Sequence, residues 1–177
     1  MRKLTMDELN RLSVEEAQIV ERVPITVVLD NVRSLLNVGS IFRTCDAFRI
    51  EKIVLCGITG KPPHREIQKT ALGATETVPW EYIDNVVDAI STLKKTGYQI
   101  LIAEQTDKSI YLNNWENNHP NKYAVVFGNE IDGISETILL LADTAIEIPQ
   151  YGNKHSLNIA VAAGIILYEL SRKTLIS

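Results

Sequence analysis

The chain is poor in the residues that announce the commonest chemistries. It has two cysteines, Cys45 and Cys56, and three histidines, His64, His119 and His155, spread over 177 residues. No C-x-x-C or H-x-x-x-H pair occurs, so no metal site is expected. Two thiols could close one bridge at most, and both are read as reduced and buried in a cytoplasmic protein. The longest apolar run, 159–168, is about half of the roughly 20 residues that a membrane helix needs. No apolar stretch follows the basic start MRKLTMDELN, so neither a signal nor a membrane partner is expected. Gly128 and Gly133 have the Walker A interval, yet Ile134 and Ser135 follow where the phosphate-binding Lys would stand. No G-x-G-x-x-G follows a strand and no G-x-S-x-G elbow exists, which sets aside dinucleotide and serine-hydrolase sites.

A large excess of one charge is also missing. The net charge of −4 speaks against a protein that coats nucleic acid by bulk attraction. That total hides an asymmetry, because residues 30–70 carry 7 basic and 4 acidic groups while residues 71–177 carry 7 and 13. The basic stretch holds Arg33, Arg43, Arg49, Lys52, Lys61, Arg65 and Lys69, and a phosphate-bearing partner would meet it first. A solvated face that only tunes solubility is the plainer reading of so small an excess.

What is present describes one α/β domain with a short extension. The length suits a single domain at about 150 residues each, and 45% apolar residues suffice for a core. Thr5 with Glu8, and Ser13 with Glu16, fit the capping box and predict one or two short helices within an extension over 1–22, ended by Pro24. The body, 23–177, alternates compact apolar runs with helical patterns. Strands are predicted at 25–29, 52–56, 98–103, 123–127 and 145–148. Helices are predicted at 38–48, behind Asp84 up to Gly97, from Ser135 to Ala142, and from Ser156 to about Arg172. The Asn-rich segment 111–120 reads as a surface loop. Short continuous apolar strands favour a mainly parallel sheet with helices on both faces.

In such sheets ligands bind beyond the carboxyl ends of the strands. The loops there are rich in glycine and polar side chains. They include Asn37-Val-Gly39-Ser-Ile-Phe-Arg43, Glu104-Gln105-Thr106, Phe127-Gly128-Asn129-Glu130-Ile-Asp-Gly133, and Ile148-Pro149 through Ser156-Leu157-Asn158. Gly39 would let the chain turn sharply into a helix. Taken singly, each stretch has an ordinary explanation: an Asn cap before a surface Arg, a solvated turn Glu, a Ser that caps a helix.

The first, third and fourth of these, in this order, resemble the three signature motifs of the SpoU/TrmH-like family in the SPOUT class of RNA methyltransferases, over roughly residues 25–172. The resemblance implies an enzyme that transfers a methyl group from S-adenosylmethionine to a ribose 2′-hydroxyl of tRNA or rRNA. It also implies a deep C-terminal trefoil knot, which no periodicity could reveal, and a homodimer with the active site near the subunit interface. By position it assigns catalysis to Arg43, Asn37, Glu130, Ser156 and Asn158. Cofactor binding falls on Glu104, Gln105, Thr106, Gly128, Ile148 and Leu157; from the basic stretch, Arg33, Arg43, Arg65 and Lys69 are the candidates for RNA binding. A guanidinium with a pKa above about 12 stays charged at neutral pH, so Arg43 is expected to stabilise charge rather than accept a proton. Arg49 and Ile131 depart from the pattern, standing where relatives often have Gly and a smaller residue. Two other classes stay open, a non-catalytic RNA-binding or ribosome-assembly factor and a base methyltransferase.

Overall fold

The computed structural model describes residues 1–5, 8, 13–117 and 122–175, with the side chain of Gln18 left aside. Among the described residues seven parallel strands form one sheet: β1 (Val23–Asp30), β2 (Ile50–Cys56), β3 (Trp80–Ile83), β4 (Tyr98–Ala103), β5 (Ile110–Tyr111), β6 (Lys122–Phe127) and β7 (Thr144–Glu147). Their order is β3-β2-β1-β6-β4-β7-β5, and every strand pair runs parallel. The helices are α1 (Val14–Ile19), α2 (Leu35–Ala47), α3 (Arg65–Ala71), α4 (Ala74–Thr77), α5 (Val86–Lys95), α6 (Glu136–Leu141) and α7 (Ile159–Leu175).

Continuous apolar strands arise because both faces are covered. On β1, Ile25, Val27 and Leu29 pack with α2, α3, α4 and α7, while Val28 points to the opposite face. The same alternation divides Ile53 and Leu55 from Val54 on β2, and Val125 and Phe127 from Ala124 and Val126 on β6. The opposite face is closed by Ala89, Ile90 and Leu93 of α5 and Ile138 of α6. Such period-two alternation is the geometry of the pleat, with apolar residues required on either side.

Several boundaries differ from the sequence expectation, each for a local reason. Helix α2 begins at Leu35, because the Ser34 side chain accepts from the Asn37 N–H (3.3 Å). Asn85 rather than Asp84 caps α5, accepting from Val87 N–H at 2.8 Å. The cap of α7 is Asn158, not Ser156: its Oδ1 accepts from Ala160 N–H (2.9 Å). Ser135 precedes α6 without a capping side-chain bond. Pro24 lies inside β1, where the missing N–H coincides with a break in register against β2. Strands β3 and β5 are additional to the five expected; β3 is half exposed and β5 is two residues long. Helices α3 and α4 are likewise additional. In the Asn-rich segment, Leu112 and Trp115 are buried, with Trp115 edge-on to Tyr123 at 5.1 Å, so a wholly surface loop is not what forms. Its residues 118–120 lie outside the described set.

Glycine 39 is also reassigned. It lies within α2, and a Cβ there would stand 2.2 Å from the Ile67 carbonyl oxygen, so it permits close packing of α2 on α3 rather than a turn. Arg49 adopts φ 51° after α2, in the left-handed region that favours glycine.

At the amino end, Ser13 and Glu16 form the expected reciprocal box (3.2 and 2.7 Å). Thr5 and Glu8 also exchange hydrogen bonds, but the rest of that turn is not among the described residues. Arg22 then donates to the carbonyls of Ala17, Ile50 and Thr77 (2.8, 3.2 and 2.6 Å), tying α1 to the end of the sheet remote from the strand carboxyl termini.

Candidate functional site

The carboxyl ends of β1, β4, β6 and β7 come together, and with them the signature loops. After β6, Asn129 Oδ1 accepts from the N–H groups of Ile131 and Asp132 (2.8 Å each), forming a tight turn closed by an Asn129–Gly133 bridge. A Cβ on Gly128 would lie 2.1 Å from the Gly133 carbonyl oxygen, so the turn folds back on bare backbone there. This turn projects Glu130 toward the start of α2.

There the Glu130 carboxylate accepts three hydrogen bonds: from the N–H groups of Arg33 and Ser34 (3.2 Å each) and from Asn37 Nδ2 (3.1 Å). Partial burial would raise its pKa, but the N–H donors of its own turn, Arg33 and Ser34, together with the Asn37 amide, outweigh that and hold it below the usual carboxylate value. Asn37 Oδ1 in turn accepts from Asn158 Nδ2 (3.2 Å). Three loops far apart in sequence thus form one polar row, Glu130 to Asn37 to Asn158.

Beside this row lies a cleft of about 560 Å³. Glu104, Gln105, Gly128, Ile148 and Leu157 line it, as do Glu130, Ser156 and Asn158. Asn37 and Arg43 do not line it. Thr106 is also outside, in a turn where its Oγ1 accepts from Lys108 N–H (3.2 Å) and its own N–H meets Ser109 Oγ (3.3 Å). Glu104 is a strut as well as a wall, accepting from Gln105 N–H (2.9 Å) and Ile134 N–H (3.1 Å). Gln105 Nε2 reaches across to the His155 carbonyl (2.9 Å) and holds the loop before α7 against the end of β4. Sequence reasoning missed Asn129, Asp132, Gln150, Ala162 and Ile166 on the cleft wall. The Asx-turn pattern from Asn129 to Gly133 could have flagged the first two.

The wall combines apolar Ile148, Leu157, Ala162 and Ile166 with the carboxylates of Glu104, Glu130, Asp132 and Glu147, and no Lys or Arg lines it among the described residues. Its volume suits a small organic ligand, and its charge suits a cationic one. Arg43 is exposed on α2, and its side chain forms no hydrogen bond or ion pair with a described residue. Arg33 adjoins Glu130. Arg65 and Lys69 lie on α3, and Lys69 is paired with Glu66 at 2.7 Å. No helix among the described residues is long and apolar enough to cross a membrane.

Comparison with known proteins agrees with this arrangement. The family model "SpoU rRNA Methylase family" matches residues 24–168. A tRNA (guanosine(18)-2′-O)-methyltransferase of Aquifex aeolicus is 35% identical, over 83% of this chain and 68% of its own length. The Thermus thermophilus protein of the same name is 33% identical, over 95% and 84%. Among solved structures, the A. aeolicus TrmH/SpoU tRNA modifying enzyme superposes with TM-score 0.80 at 32% identity, over 90% of this chain and 80% of that one. An AdoMet-bound rRNA methyltransferase from Sinorhizobium meliloti gives 0.79 at 30%, over 86% and 57%. With the matched region running from β1 well into α7 and taking in all three loops of the polar row, this chain belongs to the SpoU methylase family.

Proposed function

We propose that this chain is an enzyme that methylates a ribose 2′-hydroxyl of tRNA or rRNA with S-adenosylmethionine as cofactor. The observation that carries the reading is the row Glu130, Asn37, Asn158 standing beside a cleft of suitable size and charge. When bound, the cofactor supplies an electrophilic methyl group on a sulfonium cation. Ile148 and Leu157 would offer it an apolar wall, Gly128 the lining at the end of β6, and Glu104 and Gln105 the polar rim at the end of β4.

The chain's own groups would do the positioning. Asn37, Ser156 and Asn158 orient the ribose, and most of the rate is expected from such alignment. Glu130, with three donors on its carboxylate, is held ionised and is a weak base, so its role is to fix Asn37. The exposed Arg43 guanidinium would stabilise the developing alkoxide or a neighbouring phosphate.

The same proposal includes a homodimer, a knotted carboxyl-terminal region and a cytoplasmic setting. Val161, Ile165 and Tyr168 expose apolar surface at helical spacing on α7, beside an apolar groove of about 670 Å³ that Tyr151 also lines. A second copy is the natural cover. The knot is supported by the insertion of β6 between β1 and β4, and of β7 between β4 and β5, strands that precede them in the chain. Free, buried Cys45 and Cys56 fit a reducing compartment.

The test is methyl transfer to unfractionated tRNA and rRNA, followed by nuclease digestion and nucleoside mass spectrometry. A 2′-O-methylnucleoside is expected. A base-methylated product would overturn the ribose assignment, and RNA binding without any product would favour the assembly-factor reading. Arg43→Ala should abolish transfer while cofactor affinity persists; transfer at the parental rate would remove Arg43 from the mechanism.

A further inference from the structure

The loops that follow β1 and β2 are stapled together. Asn31 Oδ1 accepts from Ile58 N–H (3.1 Å). The buried Thr59 hydroxyl accepts from Val32 N–H and donates to the Leu29 carbonyl, both at 3.0 Å. Gly60 lies against Leu35, where a Cβ would come within 2.1 Å of the Leu35 side chain. Lys61 and Arg65 are therefore carried on the same rigid ledge as Arg33, whose N–H holds Glu130.

Lys61 is itself posted in place. Its ammonium stands 3.8 Å from the centroid of the Tyr82 ring, and the Tyr82 hydroxyl lies 2.9 Å from both the Gly57 carbonyl and Asp84 Oδ1. A cation over a ring face is held without being neutralised by an opposite charge. Arg33, Lys61 and Arg65 are exposed and form no ion pair with a described residue, whereas Lys52, Lys69 and Lys94 are each paired with a carboxylate. The ledge lies beyond β1 and β2, on the opposite side of the polar row from the cleft at β6, β4 and β7.

We infer that Arg33, Lys61 and Arg65 form a track for the phosphodiester backbone of the RNA strand, which crosses the β2 side and delivers its target ribose to the polar row from the face away from the cofactor cleft. This rests on the proposed methyl transfer to RNA and adds the direction of approach and Lys61 as a contact. Lys69, whose charge is already met by Glu66, lies outside the track.

The experiment measures binding of unfractionated tRNA and rRNA to the full chain across a salt series, for the parent and for Lys61→Ala/Arg65→Ala. Both side chains are exposed, and S-adenosylmethionine affinity by calorimetry serves as the folding control. Affinity for RNA is expected to fall at least tenfold, and the slope of log affinity against log salt to shrink by roughly 1.5, the loss of two phosphate contacts. Unchanged affinity and slope would overturn the track, as would a parent that binds no RNA. A parent that binds RNA through these residues yet forms no 2′-O-methylnucleoside would leave the track standing and overturn the activity.

Discussion

The Asn158 amide donates to Asn37 Oδ1 at 3.2 Å, across 121 positions of chain, while its own Oδ1 caps α7 through Ala160 N–H. One side chain thereby joins the start of the last helix to the first turn of α2, and through Asn37 to Glu130.

These two tasks can be separated. Asn158→Asp keeps the capping oxygen but loses the donor to Asn37, so its thermal midpoint should stay near the parent while methyl transfer falls about 100-fold through misalignment. Asn158→Ala loses both and should also cost about 1 kcal/mol of stability. Melting curves beside labelled-methyl assays check this, and full activity in the Asp variant would refute the shared role.

Glu130 predicts a pH signature. Its folded pKa lies below the ordinary 4.5, so its contribution to stability is present above the unfolded value and is lost as pH falls through the folded one. The stability gap between parent and Glu130→Gln should therefore be widest near neutrality and shrink as pH falls below the ordinary carboxylate value. Urea titrations at pH 7 and pH 3 would show it; a gap of the same size at both would contradict the bonding described.

Gly39→Ala tests the packing of α2 on α3. The added methyl meets a backbone oxygen at 2.2 Å and cannot be accommodated by a rotamer change of that neighbour. A loss of about 1–3 kcal/mol is expected, measured by urea unfolding. A variant as stable as the parent would show that the two helices part freely.

Leu157→Glu places a charge on the apolar wall of the cleft. Cofactor affinity should fall about tenfold or more in calorimetry, since an unpaired charge is costly to bury even partly. An unchanged affinity would take Leu157 out of the site.

Much of the framework was legible in the residues. Strands β1, β2, β4 and β6 are short apolar runs because helices cover both faces, and that burial writes itself into composition. Strand β3 escaped notice because it is half exposed and loses the pattern. The role of Gly39 escaped too, since a helix contact with α3 leaves no local periodicity. Ser156 and Asn158 are equally good caps on paper; the backbone decides between them.

The sequence by itself determined the fold class, the loops that carry the polar and glycine residues, and the basic character of residues 30–70. Local propensity and hydrophobic period are properties of neighbours along the chain, so they can be read without a structure. Only the tertiary structure decided that Glu130, Asn37 and Asn158 bond in one row, that Arg43 and Thr106 lie off the cleft, and that Lys61 shares a ledge with Arg33 and Arg65. Those relations depend on the strand order that places β6 beside β1 and β4. The pairing of β1 with β6 joins segments about a hundred residues apart, and no local pattern encodes it.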